Sequence, residues 1–122
     1  GAMNNEDFIK RLYEQTVIEN TNTYQSFLEN KELLDKAIEP WKTAIKIYSE
    51  LSSENKKAFL KFIEQIEVDA ISNILGILDG VVYLSEEDVE MTVTLKNNNK
   101  EEVISGDLQD LFLEHDEENR EQ

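Results

Sequence analysis

The side chains of this sequence best equipped for chemistry are carboxylates. Two groups stand close together: Glu86, Glu87, Asp88 and Glu90 in one stretch, and Asp107, Asp110 and Glu114 in another. The second group is spaced by three and four residues, which places its members on one face if the segment is helical. Paired carboxylates can run glycoside hydrolysis as acid and base, or hold a divalent cation for phosphoryl chemistry. Calcium loops, however, alternate Asp and Asn around a central glycine with a distal Glu, and neither group has that pattern. With 27 acidic residues among 122, neighbouring carboxylates also arise from composition alone. A solvated acidic face is the simpler reading, and no metal or other cofactor is expected.

Nucleophilic catalysis has little to work with. The chain has no cysteine, hence no thiolate nucleophile, disulfide or thiolate metal site. His115 is the one histidine, set among Glu114, Asp116, Glu117 and Glu118 in a stretch whose charge predicts simple surface exposure. General acid–base work needs a group that is held and partly desolvated, which such a stretch does not offer. The four glycines, Gly1, Gly76, Gly80 and Gly106, lie too far apart to cradle a phosphate. No catalytic residue is assigned, and an enzyme is not expected.

The formal charge of −15 is the strongest statement the composition makes. It repels nucleic acid and anionic membrane surfaces and attracts basic proteins over a Debye length of about 8 Å. A basic protein partner is therefore expected, with neither nucleic acid nor membrane. Lys42, Lys46, Lys56, Lys57 and Lys61 interleave with Trp41, Tyr48, Phe59 and Phe62, a mixture that can stack single-stranded nucleic acid. Overall charge opposes that use, so the aromatics are expected in the core and the lysines on its solvent side. Residues 71–78 are the longest nearly apolar stretch, far short of the ~20 residues of a membrane span. The opening Gly1-Ala2-Met3 reads as a cleavage remnant ahead of a native start at Met3, with no secretory pattern behind it. A cytoplasmic location is the expectation.

The elements that must position these side chains are mostly helical. Ile9, Tyr13, Val17, Asn20, Tyr24 and Phe27 recur near a 3.6-residue period, predicting one long amphipathic helix whose weak point is residues 20–23. Pro40 predicts the start of a second helix, because its fixed φ suits a first turn and its missing N–H does no harm there. That helix should run to near Leu51. Ser52, Ser53 and Glu54 supply a cap and a first-turn acid for a third helix over residues 54–78. Its second half is apolar almost all round, which predicts packing on several sides or a helix-mediated homodimer. Gly76 marks the close approach of another element, and Gly80 a left-handed stop. Val89, Met91, Val93 and Leu95 then alternate with polar residues, predicting a strand that turns at residues 97–99 and returns over 100–105. Since a lone hairpin is marginal, either a third strand over 81–84 or packing of the hairpin on the helices is expected, with a short closing helix over 107–113.

The fold expected is α+β: three or four helices, a C-terminal antiparallel hairpin or small sheet, and a short closing helix. Residues 4–113 should form one globular domain, with residues 114–122 a charged, frayed tail. The runs over residues 71–80 and 106–114 resemble small acidic bacterial proteins of unassigned function, and that resemblance carries over no catalytic residue. In size and charge the chain is also similar to bacterial immunity proteins, which implies docking on a toxin. The function expected is binding of a basic partner by an acidic module, as an inhibitor or immunity-type protein. The contact surface is placed at Glu86, Glu87, Asp88 and Glu90, with Asp107, Asp110 and Glu114 as the second choice. A homo-oligomeric structural domain, a nucleic-acid mimic and a metal-dependent carboxylate enzyme are the alternatives.

Overall fold

The computed structural model describes residues 3–86 and 89–120. Asn4 opens the first helix, its side-chain oxygen accepting the Asp7 N–H at 2.8 Å, which satisfies one of the donors a helix start leaves free. Helix α1 spans Asn5–Tyr13, passes without a break through a π-helical turn at Glu14–Ile18, and continues as α2, Glu19–Glu29. The long helix predicted is therefore continuous, and its irregularity falls earlier than residues 20–23. Thr16 and Asn20 bond back to the carbonyls of Leu12 and Thr16 at 2.7 and 3.0 Å, so their polar groups are met within helical geometry.

A short 3₁₀ turn at Lys31–Leu33 leads to α3, Trp41–Ser49, which begins directly after Pro40 as its fixed φ favours. The third predicted helix is α4, Ser53–Leu78, capped by Ser52, whose hydroxyl accepts the Asn55 N–H at 3.1 Å. At its far end Gly80 has φ +79°, the left-handed stop expected there.

Helix α4 is the axis on which two apolar clusters are built. Its N-terminal half packs through Phe59, Leu60 and Ile63 on Leu28 of α2 and on Ile45 and Tyr48 of α3. Its C-terminal half packs through Val68, Ile71, Leu75 and Leu78 on Ile9, Tyr13 and Val17, and on Leu108 and Phe112 of the last helix. Each such side chain taken fully from water contributes about 1.5–3 kcal/mol. With each half covered by different elements, α4 is packed on several sides, as expected, though not all round. Phe62, expected in the core, is exposed, as are Ile66 and Ile74.

Strands β1 (Thr94–Asn97) and β2 (Lys100–Val103) form an antiparallel pair with Thr94 opposite Val103 and Lys96 opposite Glu101. The turn sits on Asn98, φ +58°, which asparagine tolerates. The first strand is shorter than its alternation predicted, since Val89 is exposed and has no buried face to join. Residues 81–84 do not form the third strand. Val81 and Val82 instead donate to the Gly76 carbonyl at 2.9 and 3.0 Å, which closes the end of α4.

The closing helix α5 runs over Leu108–Arg120, seven residues past the end predicted. Residues 114–120, expected as a frayed tail, are helical because Asp116 is buried against Tyr13 and the helix is docked along α1. At Gly76 α5 comes close, as expected: a methyl group there would lie 2.7 Å from the Gln109 side-chain nitrogen. The architecture is the α+β fold expected, predominantly helical with one C-terminal hairpin and a closing helix.

Candidate protein-binding surface

Two anchors set α5 on the rest of the molecule. Asp79, the last residue of the α4 cap, accepts the backbone N–H groups of Gly106 and Leu108 on Oδ1 (2.7 and 3.1 Å) and of Gln109 on Oδ2 (2.8 Å). A carboxylate at this point meets the free donors and the positive end of the α5 dipole together. The second anchor is buried: Tyr13 Oη donates to Asp116 Oδ1 at 2.7 Å, and Arg120 Nε lies 2.9 Å from Asp116 Oδ2. Asn119 Nδ2 donates back to Tyr13 Oη at 3.3 Å. Burial, reinforced by the Asp116 hydrogen bond, pushes the Tyr13 phenol well above its ordinary range. The Tyr13 ring meets Phe112 at 5.5 Å and the edge of His115 at 4.8 Å.

These contacts fix α1 and α5 side by side, and the groove between them is acidic. It encloses about 310 Å³ and is lined by Glu6, Asp7 and Lys10 from α1 and Glu114, His115 and Glu118 from α5. Ile9 and Leu111 complete its floor. Four carboxylates thus line one depression with a single lysine and a histidine, an arrangement that concentrates negative potential. Among the described residues, no three or more His, Asp or Glu side chains are grouped so as to hold a metal ion. The arrangement can do electrostatic recognition of a cationic side chain, with Glu114 and Glu118 one helical turn apart as paired acceptors.

Of the described carboxylates expected at the contact surface, only Glu114 lies in this groove, and His115, assigned no role from sequence, lines it as well. Asp107 and Asp110 are exposed at the start of α5, and the Asp107 carbonyl accepts the Leu111 N–H at 3.0 Å. Glu86 and Glu90 are exposed between α4 and β1, while Glu87 and Asp88 lie outside the described residues. His115, expected on the open surface, is half-buried by the Tyr13 ring. Glu6, Asp7 and Glu118 were missed, though the four-residue step from Glu114 to Glu118 was a legible signal.

In the lysine-rich segment Phe62 is exposed, whereas the other aromatics have partners within the fold. Tyr48 is buried with Lys56 Nζ 5.3 Å from its ring centre, and Trp41 packs on Tyr24 and Phe27 at 5.4 and 5.5 Å. Among the described residues no helix is long and apolar enough to cross a membrane. Comparison with protein-family models, with curated proteins and with solved structures finds nothing that matches this chain.

Proposed function

We propose that the chain is a protein-binding module that docks its acidic face on a basic partner, in the manner of an inhibitor or immunity-type protein of the cytoplasm. The observation that carries this reading is the convergence of Glu6, Asp7, Glu114 and Glu118 from the two ends of the sequence into one groove. A charge of −15 speeds the approach of a basic surface, and the groove gives that surface a place to seat an Arg or Lys. The lack of cysteine agrees with a reducing compartment.

The test is capture from a lysate of the source cells by three immobilised forms: the parent chain, a Glu114→Lys/Glu118→Lys variant, and a Glu86→Lys/Glu90→Lys variant of equal charge. The proposal expects a basic protein retained by the first and third and lost by the second. Equal retention by both variants, or retention of nothing beyond what an unrelated acidic protein binds, overturns it.

A further inference from the structure

Trp41, the only tryptophan in the chain, walls a cavity of about 280 Å³ beside the cluster that joins α2 and α3. Phe27, Leu33, Ala37 and Ile45 line it with Trp41. Ile38 and Lys36 complete the lining. The fold holds these walls in place. The Trp41 ring meets Phe27 edge-on at 5.5 Å and Tyr24 at 5.4 Å, and Ile45 is buried. Between α2 and α3 the backbone closes into a turn, where Lys36 and Ala37 donate to the Leu33 carbonyl at 3.0 and 2.7 Å. Phe27 and Ile38 nevertheless leave 42% and 78% of their surface in water. A preformed apolar recess of this size, near the lower end of the range for ligand sites, is the setting in which small molecules bind.

The lining also fixes the chemistry of the ligand's polar end. Its side chains carry two kinds of hydrogen-bond donor, the Lys36 ammonium and the Trp41 indole N–H, and no acceptor. Among the described residues no carboxylate lines it, and Glu39, near it in sequence, is engaged by Thr43, whose hydroxyl donates to Oε1 at 2.7 Å. The ion pairs among the described residues are Lys96 with Glu101 and Arg120 with Asp116, which leaves Lys36 without an internal counter-ion. A cationic head meets a like charge here, whereas an anionic head meets a donor of opposite charge. At about 30 Å³ for each water-sized atom, the cavity has room for roughly nine or ten non-hydrogen atoms. We propose that the Trp41 cavity binds a small monocarboxylate with an apolar body of about eight carbons, its head at Lys36 and its body against Trp41, Phe27 and Ile45. The site is separate from the acidic groove between α1 and α5, with which it shares no lining residue.

Octanoate is the probe, and the fluorescence of Trp41 in the full chain is the readout, since no other tryptophan contributes. Octyltrimethylammonium, with the same tail and the opposite charge, is the comparison. A net charge of −15 attracts the cation, so a preference for the anion reports the cavity rather than the whole molecule. The parent chain should bind octanoate with a dissociation constant of about 1 mM or below, and the cation at least about 10-fold more weakly. Lys36→Glu, at an exposed position, should weaken octanoate about 10-fold or more. Lys100→Glu, the same charge change placed on β2, should leave both affinities as they are. Ala37→Phe fills the cavity and should abolish octanoate binding, with circular dichroism confirming that the variant folds. Silence of Trp41 at about 10 mM octanoate, equal or tighter binding of the cation, or an octanoate affinity untouched by Lys36→Glu or by a folded Ala37→Phe overturns the proposal.

Discussion

Tyr13 and Asp116, separated by 103 residues, share a buried 2.7 Å hydrogen bond that ties the first helix to the last. The phenol supplies the donor that a buried carboxylate requires on one oxygen, as Arg120 does on the other. Tyr13→Phe keeps the ring packing on Phe112 and removes the hydroxyl that donates to Asp116 and accepts from Asn119. Thermal unfolding should show a loss of about 1–3 kcal/mol, the cost of leaving a buried acceptor unmet.

The same bond predicts an alkaline limb. The Tyr13 phenol is raised above its ordinary value of 10.0 by burial and then by Asp116, and Tyr48 is raised by burial and then by Glu29. A folded-state pKa above the unfolded one contributes stability that is fully present below pH 10 and lost as pH rises beyond it. Stability followed by denaturant midpoint should fall above pH 10. Tyr13→Phe should be weaker at neutral pH and show a shallower fall.

Asp79 predicts a local effect. Its carboxylate accepts three backbone N–H groups at the start of α5, so Asp79→Ala should cost about 1–2 kcal/mol, the range of a lost helix cap. Hydrogen exchange should quicken at the first turn of α5 more than in α3, which makes no contact with the cap. Equal acceleration throughout would contradict this assignment.

Glu67 predicts a stabilising substitution. Thr21 donates to its Oε1 at 3.0 Å, while Oε2 is buried without a hydrogen-bond partner among the described residues. Burial, and secondarily Glu64, raises its carboxyl above the ordinary 4.5 against the lowering effect of Thr21. The ionised form thus strains the fold, a strain absent below pH 4.5 and present once pH has risen through the shifted value. Glu67→Gln should raise the melting temperature at pH 7 and lose that advantage below about pH 4.5.

Much of the backbone was legible because its signals are local. Pro40, Ser52 and Gly80 set helix boundaries through φ preference and capping, and each acts within a few residues of itself. The groove was not legible, because Glu6 and Asp7 meet Glu114 and Glu118 only once α5 is docked on α1. Composition misdirected the reading of residues 114–120, where dense charge indicates fraying unless a partner such as Tyr13 awaits Asp116. Apolar periodicity likewise could not separate the buried Val68 and Leu75 from the exposed Phe62 and Ile66, since core and interface are built from the same side chains.

The measurement that bears most directly on the binding role is the association rate with the captured basic partner, followed by stopped flow from low to physiological salt. For the parent chain the rate should fall steeply as salt rises, and Glu114→Lys/Glu118→Lys should reduce the low-salt rate by about 10-fold or more and flatten the dependence. The Glu86→Lys/Glu90→Lys variant, with the same net charge, should retain most of both. Identical rates for the two variants would show that net charge alone guides the partner and would contradict a seat in the α1–α5 groove.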